Sequence, residues 1–170
     1  MYKQESTAIE LIVDRVELWA ASIPDNPGEL SKKLAGLKNA GADLDFIIAR
    51  RDHERPGYAV LFIDPLRRER EMTAAQALGF TASKSVYSVR VEGDNRPGIA
   101  ADITQRIAEA GLNLRGFSAS TCGSRFLMYL GFDVAEDADR SMAILQYVNN
   151  KPRYVDQVEA DPDVELRMSK

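Results

Sequence analysis

The sequence predicts an α+β protein built from two tandem units, each an antiparallel sheet with helices on one face. Three observations carry that expectation. The stretch "IPDNPGELSKKL" at residues 23–34 returns as "GDNRPGIAADI" at residues 93–103. Aligning Gly28 with Gly98, an offset of 70 residues, also places Pro27 on Pro97, Gly41 on Gly111, Leu44 on Leu114, Val60 on Leu130 and Phe62 on Phe132. Finally, runs of period two and runs of helical period follow one another in the same order in both copies.

The elements follow in chain order. In "VELWAASI" Val16, Leu18 and Ala20 alternate with Glu17, Trp19 and Ala21, which is strand period. Trp19 therefore sits either in the core or in a contact on the opposite face. After the PG loop, Leu30, Leu34 and Leu37 recur at helical spacing until Gly41. "DLDFIIA" and "YAVLFID" are two strands joined by the polar "RRDHERPG". The run Val60 to Ile63 is apolar without a break, so both faces of that strand are expected to be covered. A second helix follows in "PLRREREMTAAQAL", and Phe80 to Lys84 supplies a short fourth strand.

The second copy reads "VYSVRVEG", then a helix with Ile99, Ile103 and Ile107 ending at Gly111. The strands "LNLRGFSAS" and "RFLMYLGFDV" are joined by "TCGS", and "DADRSMAILQYVNN" is the second helix. Val164 to Met168 is the expected fourth strand. The order β-α-β-β-α-β is that of the ferredoxin-like split unit. Residues 15–84 form the first unit, 85–170 the second, and 1–14 an N-terminal extension that is a strand or a helix. Each unit is small, so the two are expected to pack on each other, on another copy of the chain, or both.

Composition narrows the function. The chain has 170 residues, 45% apolar and 28% charged, with a net charge of −4. An acidic balance argues against a nucleic-acid partner. Phe46 and Phe126 are the aromatics available for base stacking, but the glycine–aromatic pattern of RNA-binding strands is missing. No run reaches membrane-span length, and the start lacks a signal-peptide layout. With a single cysteine, Cys122, a reducing cytoplasm is the expected compartment. His53, the only histidine, lies in a charged turn, and Cys122 has no histidine in sequence reach, so a buried or idle thiol is expected. No metal or nucleotide motif occurs, and neither a cofactor nor an enzyme activity is expected.

The PG loop offers a different chemistry. Asn26 suits a helix N-cap, Pro27 the first helical position, and Glu29 the far end of a capping box. Gly28 is a poor helix former and suits close approach of a ligand to backbone. First-turn N–H groups favour an anion such as an α-carboxylate. Asp25 and Asn26 place acceptors beside it for an ammonium group. One short loop thus suits a free amino acid, although Pro-Gly pairs also serve ordinary turns.

With this loop between first strand and first helix, twice over, the chain resembles the ACT domain family across residues 15–84 and from 86 to about 150. That resemblance implies a regulatory module binding amino acids at interfaces between paired domains, commonly as a homodimer, and able to regulate a partner enzyme. It places ligand contacts at Asp25, Asn26, Pro27, Gly28 and Glu29, with Asp94, Asn95, Arg96, Pro97, Gly98 and Ile99 in the second copy. The start of the second strand adds Ala42 and Asp43, and Leu112 and Asn113. Arg96 has no counterpart in the first copy and either holds a carboxylate or faces solvent. The two copies thus bind unequally, or one is structural. The rival expectation is an interaction module with empty sites.

Overall fold

The computed structural model describes residues 10–84 and 86–148. The chain runs through β1 (Leu11–Val16), β2 (Trp19–Pro24), α1 (Glu29–Asn39), β3 (Phe46–Arg51), β4 (Tyr58–Asp64), α2 (Glu69–Ala77) and β5 (Thr81–Ala82). It continues through β6 (Tyr87–Asp94), α3 (Ile99–Glu109), β7 (Gly116–Cys122), β8 (Arg125–Phe132) and α4 (Ala135–Val148). Two four-stranded antiparallel sheets result, ordered β3-β4-β2-β5 and β1-β6-β8-β7. The fold class is the expected one: two ferredoxin-like units, each with two helices.

The connectivity differs from the expectation at one strand. β1 pairs with β6, from Leu11 opposite Gly93 to Val16 opposite Ser88. The fourth strand of the second sheet is therefore β1, drawn from the segment expected as an extension. Val164 to Met168, the expected fourth strand, lies outside the described residues. Alternation explains the pairing: Leu11 and Val13 are buried, while Ile12 and Asp14, alternating with them, are exposed. The expected single strand over residues 16–23 is in fact the end of β1 and the start of β2, separated by Glu17 and Leu18. Because β2 through β5 lie between β1 and β6 in the chain, the first unit is an insertion within the second.

Each unit has its own core. Trp19, Ala21 and Ile23 of β2 meet Leu61 and Ile63 of β4, Leu37 of α1, Ala75 of α2 and Phe80. Trp19 is thus a core residue. In the second unit Leu11, Val13, Val89, Val91, Met128 and Leu130 carry the sheet side. Ile99, Ile103 and Ile107 of α3 pack on it at helical spacing, with Ala138 and Leu145 of α4. The α1 helix is less embedded, with Leu37 its one buried residue and Leu30 37% exposed. Where α3 has Ile103, α1 has Lys33, whose ammonium turns to the carbonyl of Leu78. The unbroken run in β4 is covered unevenly. Leu61 and Ile63 are fully buried, but Val60 and Phe62 on the helix-free face are half-buried.

Candidate functional site

The two PG loops are built alike. The loop start is tied to the facing hairpin turn: Asp25 N–H donates to the Gly57 carbonyl at 2.9 Å, and Asn95 N–H to that of Ser124 at 2.7 Å. A tight turn follows, with Glu29 N–H on the Asn26 carbonyl and Ile99 N–H on that of Arg96. Each helix then begins with a bond to the glycine carbonyl, from Lys32 N–H to Gly28 and from Asp102 N–H to Gly98. The glycines are the N-cap residues, with φ of 90° and 80°. This corrects the expected cap: neither Asn26 nor any other side chain caps α1, and Glu29 pairs with Lys32 at 2.5 Å. The left-handed backbone alone demands glycine at both positions. Open space also surrounds each, since a Cβ would meet no atom within 4 Å.

The loops differ in their side chains. Asp25 is held by Arg51 at 2.8 Å, and Asp94 by Arg125 at 3.1 Å. In the second unit Arg96 folds over the first turn of α3 and pairs with Asp102. Its Nε is buried and has no hydrogen-bond partner. A cleft of about 270 Å³ opens there between the α3 N-terminus and the edge strand β7. Asn95, Arg96 and Gly98 form one side, Ser120 and Thr121 another, and Phe126 part of the apolar floor. The N–H groups of Ala100 and Ala101, in the first turn, have no acceptor one turn back. Near Gly28, by contrast, lies an open groove along α1 formed by Leu30, Ser31, Leu34, Ala35 and Lys38. No residue there does what Arg96 does.

Four expected site residues lie elsewhere. Ala42 and Leu112 are the third residues past their helices, and their N–H groups close the helix ends on the carbonyls of Leu37 and Ile107, both at 3.1 Å. Leu112 is buried in its core and Ala42 packs on its own. Asp43 and Asn113 are exposed, and the Asp43 carbonyl accepts from Arg67. An 11-residue helix, roughly 16 Å long, separates each from the PG loop of its own unit. Within one unit the two parts of the expected site do not meet.

Other expectations resolve simply. His53 is exposed in its turn. Cys122 is exposed at the end of β7, so of the two expected alternatives, a buried or an idle thiol, the buried one does not hold. Phe46 and Phe126 are not displayed for base stacking: Phe126 is buried on the helix side and Phe46 stacks on Tyr129. No helix among the described residues is long and apolar enough to cross a membrane.

The helix-free faces of the two sheets meet at a polar and aromatic corner that periodicity could not locate. Phe46 and Tyr129 stack with ring centroids 4.1 Å apart. The Tyr129 hydroxyl donates to Asp64 at 3.1 Å, with both residues buried. Burial pushes the Asp64 carboxyl above its usual range, against the opposing pull of the Tyr129 hydrogen bond and Arg90. Burial and the neighbouring Asp64 likewise push the Tyr129 hydroxyl up. Arg90 of β6 reaches Asp14 of β1 and Asp45 of the first unit, both at 3.2 Å. Arg67 holds the same Asp45 carboxylate at 2.9 Å. Beside this corner, a second cleft of about 350 Å³ separates the sheets.

With this geometry in place, comparison with known proteins gives the class. The ACT domain family model matches residues 87–144, from β6 into α4, so the second unit is an ACT domain. A search of the curated proteins finds no match. Among solved structures, protein BT0572 from Bacteroides thetaiotaomicron superposes with a TM-score of 0.64 at 12% identity, covering 79% of this chain and 89% of the other. The ligand-free regulatory subunit of aspartate kinase from Thermus thermophilus gives 0.58 at 18% identity, covering 84% and 99%. That from Thermus flavus gives 0.53 at 19%, covering 84% and 97%. At these identities the likeness is one of fold, and it extends across both units.

Proposed function

We propose that this chain is a regulatory protein that binds a free amino acid at the PG loop of its second unit. The observation that carries the reading is Arg96, with its Nε buried and unpartnered at the cleft by the α3 N-terminus. A buried donor without an acceptor is costly, and a ligand carboxylate there would satisfy it. The free N–H groups of the first turn and the dipole of α3 add to the same pull. Asn95, Ser120 and Thr121 offer acceptors to the ammonium group, and the Phe126 wall takes an apolar side chain.

The ligand acts through linkage, by preferring one arrangement of the units or of two copies over another. The fold of the aspartate kinase regulatory subunits makes an amino-acid-metabolism enzyme a fitting partner, with this chain as the non-catalytic component. A homodimer would bring the second-strand residues Asp43 and Asn113 to a loop they cannot reach within one unit.

A thermal-shift screen of the purified chain against the twenty amino acids tests the reading. A ligand at about a hundred times its Kd adds ~2.7 kcal/mol, which should raise the midpoint by roughly 5–10 °C. Arg96→Gln should remove the shift with the fold intact. If no amino acid shifts the midpoint, the reading fails, and an interaction module with empty sites takes its place.

A further inference from the structure

The second cleft lies away from both PG loops. One wall is Phe46, Ile48 and Phe62 from the helix-free face of the first sheet, and Tyr129 and Phe117 stand on the other. Three features give it a chemical character. Ser88, on β6, is 1% exposed, lines the cleft, and its hydroxyl has no hydrogen-bond partner. Arg115 stands at the rim, half-exposed, with one guanidinium nitrogen on Asp133 at 2.9 Å. No acidic side chain lines the cleft, since Asp64 is turned to the Tyr129 hydroxyl behind it.

We propose that this cleft binds a small aromatic or branched apolar monocarboxylate that lacks an ammonium group. The ring or branched chain lies between Phe62 and Phe117, beside the stacked Phe46–Tyr129 pair, in an aromatic surround that suits apolar contact. The carboxylate takes the Ser88 hydroxyl, whose burial without a partner is otherwise unfavourable, and the outer face of Arg115. An ammonium group finds no free carboxylate. A volume near 350 Å³ suits a ligand of modest size. Because the two walls come from different units, occupancy fixes how the sheets lie against each other. The cleft is thus a second input to the same interface.

Titration of the full chain with 3-phenylpropanoate, followed by calorimetry, tests this. Saturable binding with Kd at or below about 1 mM is expected, while 3-phenylpropan-1-amine should not bind. Gly116 lines the cleft, lacks a left-handed φ, and a Cβ there would meet nothing within 4 Å. Gly116→Leu should therefore fold normally by circular dichroism and weaken binding at least about tenfold by occupying the space. Ser88→Ala should weaken it about fivefold without lowering the thermal midpoint, because the hydroxyl has no partner to lose. No saturable binding of 3-phenylpropanoate, equal binding of the amine, or unchanged affinity in both variants would overturn the proposal.

Discussion

Single side chains set how this molecule responds to pH. Asp64 and Glu71 are both buried carboxylates, yet their surroundings act in opposite directions. Glu71 accepts the backbone N–H groups of Arg67 at 2.8 Å and Arg68 at 3.2 Å, which hold it below the usual range. Its folded value is lowered, so its contribution is present above the ordinary Glu value and is lost as pH falls through the lowered one. Asp64 is raised by burial, so its contribution is full below the ordinary Asp value and declines as pH rises through the raised one. Thermal midpoints between pH 3 and 7 should show both. Asp64→Asn keeps an acceptor for Tyr129 and should flatten the decline on the neutral side, with no loss of stability at pH 7. Glu71→Gln should lower stability at pH 7 and lose less than the parent on acidification. Gly98→Ala should cost about 1–2 kcal/mol in denaturant unfolding, purely from its φ of 80°.

At the scale of elements, β1 matters most. It is an edge strand, but Leu11 and Val13 lie within the core that α3 and α4 cover. Val13→Ala should cost about 2 kcal/mol. The loss should appear as faster amide exchange in β6 and β8 while β2 and β4 hold, since Val13 belongs to the second core alone. The sequence left this segment as a strand or a helix, and its place in the second sheet was hidden for a physical reason. Alternation reports which face a residue takes, not which strand it pairs with. Val16, Leu18 and Ala20 alternate smoothly across the break at Glu17, so two strands of different sheets read as one. A local choice then assigned the missing fourth strand to residues 164–168, whereas the real partner lies more than 70 residues upstream of β6. The repeat itself, both sets of helices and the hairpins were legible, because they rest on local period and on glycine stops. The PG loops were legible as loops, but their caps were not. A left-handed glycine can take the cap position without any side chain, and Asn26 looked better only on propensity.

The whole molecule is coupled where the two helix-free faces meet. Arg90 draws Asp14 and Asp45 together, and Arg67 closes on Asp45 from the first unit. A double-mutant cycle between Arg90 and Asp45 should return about 0.5–1 kcal/mol, as suits a partly exposed pair. Trp19 is the only tryptophan and reports on the first core. In urea its fluorescence and the far-UV signal should move together, and the joint Asp45→Ala and Arg90→Ala variant should pull them apart. Which residues form this corner could not be read from sequence. Phe46 and Asp64 face each other across β3 and β4, but Tyr129 comes from the other sheet, with no shared motif to announce the meeting.

The nesting of one unit inside the other also orders events during synthesis. Trp19 to Ala82 is contiguous, so the first core can close as soon as its last strand leaves the ribosome. β1 emerges earlier still, yet its neighbour β6 and the helices that cover Leu11 and Val13 are made only after that core is complete. For all that interval the nascent chain carries a strand with an apolar side and no mate. Slowing translation between the two units should therefore lengthen the time in which β1 is open to capture by a chaperone or by the β6 of another nascent chain.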